Sequence, residues 1–441
     1  MERTLILDCN EKIGETVKVC GWVQVRRDHG KIIFLDVLDR SATIQVIVQG
    51  DLAKDLRPQD VVCIEGGVSK RPENLVNPNL ATGTIELQAK SIEVLSKAEE
   101  LPFDMGDKDL NLQLPTLLDY RSLTLRHPRI KAIFNVQETI VDAYRKVLKE
   151  ESFTEIFVPT IVPVATEGGA EVFKIDYYGT KTYLAQSPQQ YKQMLVGVFE
   201  RVFTLAHVYR AEPSITTRHL SEYISLDVEM GFIDSFQQIM DVVELLIKGV
   251  ITEVGKQNAP ELDILGVTLP KIENKFPRIK MREAQQIIFE RTGRDHRSEP
   301  DLDPADEKEI CQWALEKHGV QFAFITHYPT KKRPFYTFPD PDDPEYTLSF
   351  DLLGISEEWV TGGQRINNYQ MLLEHIEKWG NKPADFDMYL QAFKYGIPPE
   401  GGFALGLERI TKDLLGLINI REASLFPRDM ERVDVKLSTL K

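Results

Sequence analysis

Apolar residues alternate with polar ones through the first hundred positions of this 441-residue chain, as at Val17, Val19, Gly21 and Val23. A period of two puts one face of each segment inward, as half-buried strands require. Five segments carry the pattern: TVKVCGWVQVRR, KIIFLDVLD, ATIQVIVQG, DVVCIEGGVSK and GTIELQAKSIEVLS. Two connections between them are elaborated. Asp28-His29-Gly30 follows the first strand, and RPENLVNPNLATG lies between the fourth and fifth.

Five short strands with elaborate first and last loops suggest an OB-type barrel over residues 1–100, whose middle-strand face and loops would take an oligonucleotide. A small barrel used only for protein contacts is the alternative. Residues 101–129 are punctuated by Pro and Asp and read as a hinge. From Ile130 the period changes. Ile133, Val136, Ile140, Tyr144 and Val147 recur at helical spacing,. Beyond them come strand-like TEIFVPTIV, KTYLAQ, RVFTLAHVYRAE and EYISLDVEMGF, then a long helix, SFQQIMDVVELLIKGVITEVG. Residues 258–345 are Pro-rich and read as a less regular insertion. The end returns to strand, helix, strand, helix with LSFDLLGI, NYQMLLEHIEKWG, GGFALGLER and ITKDLLGLI. The expected class is α+β, with a mostly antiparallel sheet flanked by helices in residues 130–441.

Charge and cysteines narrow the function. The net charge of −15 argues against non-specific coating of nucleic acid, but residues 1–100 carry only −3 of it and cluster positive charge in VRRDHGK,. The four cysteines, Cys9, Cys20, Cys63 and Cys311, lack metal-ligand spacing, so a reduced, cytoplasmic protein is expected,. No run of about 18 apolar residues is present to cross a membrane.

Chemistry-bearing residues concentrate in four places. In VYRAEPSITTRHLSEYISLDVEMGF, Arg210 and Glu212 share one face of a strand, as do Asp227 and Glu229, among apolar neighbours that argue for burial,. In GGFALGLERI, a glycine-rich strand lets a partner approach its backbone and delivers Arg409 at its end, an arrangement suited to phosphate,. SFDLLGISEEWVTGGQRI supplies Asp351 and Glu358 as carboxylates for Mg²⁺,. In LAQSPQQYKQML, a turn at Ser187-Pro188 opens a helix whose expected inner face is Tyr191, Met194 and Leu195, with Lys192 among them. Lys192 is either a snorkelling surface lysine or a cation held in a pocket.

Together, FTEIFVPTIV, YRAE…TRH and GGFALGLERI resemble motifs 1, 2 and 3 of the class II aminoacyl-tRNA synthetases, in the right order. The barrel is similar to that of the subclass for aspartate, asparagine and lysine. AQSPQQYKQ, LDVEMGF, GGQRI and FKYGIPPEGGFALGLERI resemble the compact archaeal type of aspartyl-tRNA synthetase over nearly the whole chain.

The resemblance implies a class II catalytic domain behind an anticodon-binding barrel, and roles for individual residues. Arg210 and Arg409 would be catalytic, with Arg210 on the ATP α-phosphate and the substrate carboxylate. Arg218, His219 and Arg409 would hold the β,γ end. Tyr223 would stack on adenine opposite Arg409, with Glu212 and Gly406 completing the ATP site. Asp351, Glu358 and Thr361 would bind Mg²⁺. Lys192 and Arg365 would take the side-chain carboxylate of L-aspartate, Asp227 would position Lys192, and Glu167, Ser187 and Gln189 would bind the α-amino end. Asparagine in that pocket would leave two buried cations short of an anion. Pro159 would lie at a homodimer interface. In the barrel, Arg26, Phe34 and Gln45 would contact the anticodon. His29 and Pro78 resemble the relaxed branch, which charges tRNA(Asp) and tRNA(Asn) alike; a strict tRNA(Asp) enzyme is the alternative. An asparagine-specific synthetase is disfavoured by Lys192 and Asp227, an amidotransferring asparagine-making relative by the barrel, and a non-catalytic tRNA-binding paralogue by the retained Arg210, Arg218 and Arg409.

Overall fold

A computed structural model describes residues 1–106, 109–165 and 172–439. They form two compact units, Met1–Leu114 and Pro115–Lys441.

In the first unit, β1 (Thr16–Asp28), β2 (Ile32–Leu38), β3 (Thr43–Gln49), β4 (Val61–Lys70) and β5 (Ile85–Ser96) close a barrel in the order β1-β2-β3-β5-β4. All pairs are antiparallel except β3 with β5. The alternating residues point inward as their period requires: Val17, Val19, Val23, Leu35, Val46 and Ile64 are buried in one core,. The cysteines differ from expectation. Cys20 and Cys63 stand directly opposite each other on β1 and β4 and are joined by a disulfide, while Cys9 and Cys311 are free and buried. The pair comes from strand register, which spacing along the chain does not reveal.

The second unit begins with the short helices α1 (Leu114–Asp119) and α2 (Arg121–Thr124) and the long α3 (Pro128–Glu150). Pro128 in the first turn and His127 as cap, accepting from Arg129 N–H, start α3,. Next come β6 (Thr154–Glu155), β7 (Ile161–Val162), β8 (Lys174–Tyr177), β9 (Thr180–Leu184), α4 (Gln189–Phe199), β10 (Arg201–Tyr209), β11 (Glu222–Gly231) and α5 (Gln237–Gln257). After them run α6 (Ala259–Leu265), β12 (Arg278–Lys280), α7 (Met281–Thr292), α8 (Pro304–His318) and β13 (Phe322–Thr326). The chain closes with β14 (Ser349–Gly354), β15 (Glu357–Gln364), α9 (Tyr369–Lys378), α10 (Asp387–Lys394), β16 (Glu400–Gly406) and α11 (Leu407–Leu414).

An eight-stranded sheet, β12-β13-β14-β15-β16-β11-β10-β6, is antiparallel except at its two ends, and β7-β9-β8 form a small second sheet. Helices α3 and α5 cover the large sheet with Ile140, Tyr144, Val243 and Leu246. Motif-like TEIFVPTIV is not one strand. Its ends enter different sheets, and Phe157 and Pro159 between them are exposed. Residues 258–345 are more regular than their prolines suggest: they hold α6, α7 and α8, and β12 and β13 extend the large sheet. Pro304 is a helix start, with Asp303 capping Ala305 and Asp306 N–H at 2.8 Å each,.

Candidate active site

The central strands β15, β16 and β11 floor a cavity of about 490 Å³. Ser187, Gln189, Lys192, Arg210, Glu212, Arg218, His219, Tyr223, Glu358, Thr361, Arg365, Gly406 and Arg409 all line it. Asp227 and Asp351 lie just behind its wall, and Glu167 falls outside the described residues.

At one end, strand β10 stops at Tyr209, so Arg210 and Glu212 stand in the following turn rather than on one strand face. The Arg210 N–H donates to the Ser221 carbonyl (2.9 Å), and its guanidinium lies 5.9 Å from the Tyr223 ring centre. A side chain grown on Gly406 would touch both the Tyr223 ring and Arg409, at 3.6–3.9 Å. Tyr223 and Arg409 therefore both border Gly406 on the cavity wall. The neighbouring Gly402 serves the fold instead, because a Cβ there would strike the Val228 carbonyl and the Glu229 carboxylate. His219 sits among Arg210, Arg218 and Arg409. Burial, joined by these cations and opposed by the charge of Glu212, holds its imidazole below the usual range. It is therefore neutral at pH 7.

The arginines are already paired. Arg218 reaches Glu307 and Glu357, each at 3.0 Å, and Arg409 reaches Glu358 at 3.3 Å. Glu307 and Glu357 were not singled out from the sequence. Glu307 comes from the first turn of α8, far along the chain from Arg218, and only the fold brings it in. Burial pushes its carboxyl up to about 7.

Asp351 and Thr361 face each other across β14 and β15. Arg333, which the sequence reading also missed, donates to Asp351 Oδ2 (2.7 Å) and Thr361 Oγ1 (2.9 Å). Asp351 Oδ1 is buried without a hydrogen-bond partner. Burial, and then the charge of Asp351, raise the Glu358 carboxyl above its ordinary value. Two carboxylates in mutual repulsion with an orphaned oxygen suit a divalent cation, whereas Thr361 is occupied by Arg333.

At the other end, α4 turns an unexpected face inward. Its buried residues are Gln189, Lys192, Gln193 and Val196, while Tyr191, Met194 and Leu195 are only half-buried. The inner face is polar because it meets β11 and β16, whose side chains there are charged. Lys192, 1% exposed, reaches Asp227 (2.8 Å) and Glu229 (3.2 Å) and donates to the Phe403 carbonyl (3.2 Å). Arg365 donates to Glu229 (2.7 Å) and to the Gly402 carbonyl (3.0 Å). Both cations thus have anions of their own. The expectation that a neutral ligand would leave them uncompensated is corrected, because Glu229 supplies the charge left out of that count. Ser187 accepts from Gln189 N–H (3.0 Å) at the start of α4.

In the barrel, Phe34 pairs with Arg27 of β1 and Ile47 of β3, and Asp36 with Gln45. Phe34 and Gln45 share the half-buried outer face, and exposed His29 meets Phe34 edge-on at 5.5 Å. Arg26 is not with them. A bulge between Val23 and Val25 places it opposite buried Leu35, with its guanidinium on the Ala53 carbonyl and Asp28,. Arg27 is on the Phe34 face instead, held by both oxygens of Asp36. Pro78 is exposed in the β4–β5 connection.

Barrel, sheet and arginine-lined cavity together define a class II aminoacyl-tRNA synthetase. The chain belongs to the family described as tRNA synthetases class II (D, K and N), which matches residues 113–430, and an OB-fold nucleic acid binding domain matches residues 17–95. An aspartate--tRNA(Asp/Asn) ligase of Deinococcus radiodurans is 41% identical over 439 residues, 98% of this chain and 99% of the relative. An aspartate--tRNA(Asp) ligase of Pyrococcus abyssi is 39% identical over 430 residues, 95% of this chain and 96% of the relative. Among solved structures, the asparaginyl-tRNA synthetase of Pyrococcus horikoshii with asparaginyl-adenylate superposes with a TM-score of 0.89, at 31% identity over 98% of this chain and 99% of that one. The fold therefore does not by itself distinguish aspartate from asparagine.

Proposed function

We propose that this protein activates L-aspartate with ATP to aspartyl-adenylate and transfers it to both tRNA(Asp) and tRNA(Asn), as a homodimer. The amino-acid reading is carried by Lys192 and Arg365, two buried cations at one end of a cavity whose other end holds three arginines. Activation needs no general base, since a carboxylate with pKa about 4 is ionised at pH 7. The work is to orient that carboxylate and to stabilise charge in an in-line phosphoryl transition state. Arg210 suits the α-phosphate, and Arg218 and Arg409 the β,γ end, because a guanidinium meets phosphate in a bidentate fork. Neutral His219 donates or accepts a hydrogen bond there without adding charge. Tyr223 and Arg409 sandwich the adenine over Gly406. Asp351 and Glu358 would hold Mg²⁺, which neutralises phosphate charge when bound. Glu307, Glu357 and Glu358 keep the arginines ordered until phosphate replaces them.

For tRNA, stacking on Phe34 and edge contacts from Gln45 fit single-stranded anticodon bases. The relaxed reading rests on His29-Gly30, a small and exposed pair beside Phe34 where a strict enzyme would place bulk. Relatives with tRNA(Asp/Asn) in their names at 41% identity support it. Exposed Phe157 and Pro159 are the surface for a second copy. A charging assay with each purified tRNA tests the reading: Asp-tRNA(Asn) is expected, and its absence leaves the strict tRNA(Asp) alternative.

A further inference from the structure

Behind the pocket lies an acid that the reaction does not use. Glu400, at the start of β16, is fully buried. Its Oε1 accepts from Gln193 Nε2 at 2.9 Å. The orientation of that amide is fixed, because Gln193 Oε1 receives Gln189 Nε2 and the Tyr389 hydroxyl, each at 3.0 Å. Glu400 Oε2 is buried with no hydrogen-bond partner. The charged and titratable groups facing it are Glu229 from β11, Lys192 from α4, Tyr389 from α10, and Arg365 beyond β15.

The ion pairs divide unevenly. Lys192 is taken by Asp227 and Glu229, and Arg365 by Glu229. Among the described residues, no cation lies within ion-pair distance of Glu400, whose polar partner is a neutral amide. Two cations against Asp227 and Glu229 are already in balance. An ionised Glu400 would add a third anion, and a substrate carboxylate a fourth, among side chains buried from solvent,.

We infer that Glu400 stands as an uncharged carboxylic acid behind the pocket, and that its charge state decides whether Lys192 and Arg365 can accept a substrate carboxylate. Burial, and then the nearby Glu229, act in the same direction, pushing its ionisation well above the usual carboxylate range,. Glu400 is a positioning residue on this account: it acts through Gln193, Gln189 and the cations and does not line the cavity. The inference rests on the aspartate reading. Ionisation of Glu400 and binding of aspartate oppose each other, so KM for aspartate stays low while the proton is held and rises, by up to tenfold per pH unit, as it is lost.

The test is aspartate-dependent ATP–pyrophosphate exchange from pH 6 to 9 in wild type and Glu400→Gln. The amide keeps the shape and the Gln193 contact but cannot ionise. Glu400→Gln is expected to match the wild-type KM within about threefold at pH 6 and 7, with kcat alike in both, and to stay flat wherever the wild-type KM rises with pH. A tenfold change in KM at pH 6 or 7, or a rise of KM with pH that the variant shares, overturns the inference. Should the variant not fold, calorimetry of wild type at pH 7 in buffers of different ionisation heat decides: with the Glu400 proton already held, aspartate and asparagine binding should take up equal numbers of protons, and greater uptake with aspartate overturns it. Wild type with no aspartate-dependent exchange removes the amino-acid reading and this inference together, whereas normal exchange with a KM rise that the variant shares removes this inference alone.

Discussion

Lys192 holds Asp227 and Glu229 at 2.8 and 3.2 Å from a side chain that is 1% exposed. Removing one partner of such a buried set leaves charge uncompensated, so Lys192→Met should lose about 3–5 kcal/mol in chemical denaturation. Adding Asp227→Asn should recover part of that loss, because the two changes are coupled. Arg210→Ala should cut kcat/KM for pyrophosphate exchange by about 10²–10³, the effect of removing one preorganised donor to a developing oxyanion, with little change in denaturation midpoint. Which residues carry charge into the site was readable from their order along the chain. Apart from Asp227 for Lys192, their partners were not. Hydrophobic periodicity pointed to Tyr191, Met194 and Leu195 as the inner face of α4, and that rule misleads where the facing strands are themselves charged. Glu229 and Glu400 passed unremarked as pocket residues because a carboxylate in sequence does not announce the cation it will meet.

The same limit appears among the elements. The five barrel strands lie within a residue or two of where alternation puts them, because one face of each is buried and a slip would turn it outward. The bulge in β1 has no such signature, and it exchanges the faces of Arg26 and Arg27. Helix α8 was hidden for another reason: its proline marks a helix start, not a loop. Through Glu307, α8 couples to Arg218, and this coupling should depend on pH. The Glu307 proton is held until about pH 7. Below that the neutral acid grips Arg218 weakly, and above it the carboxylate competes with ATP phosphate. KM for ATP should therefore rise through pH 7 in wild type and stay flatter in Glu307→Gln, measured by pyrophosphate exchange at saturating aspartate. In β16, Gly402→Ala forces a methyl into the Val228 carbonyl and the Glu229 carboxylate. It should destabilise the second unit by at least about 1–3 kcal/mol, read from its thermal unfolding.

Across the whole molecule, each of the two units has its own core, so adenylate chemistry and anticodon reading can be altered separately. Phe34→Ala should weaken tRNA charging by about 5- to 150-fold, the worth of one stacked base at about 1–3 kcal/mol, and leave pyrophosphate exchange unchanged. The central claim is that Lys192 and Arg365, whose charge Asp227 and Glu229 already balance, select a second carboxylate because it offers acceptors to both donors, whereas an asparagine amide turns an N–H donor toward one of them,. Its most direct test is pyrophosphate exchange by the wild-type protein with L-aspartate and L-asparagine in parallel, without tRNA. The account predicts exchange with aspartate and at most about a hundredth of that kcat/KM with asparagine. Equal or faster exchange with asparagine would contradict it.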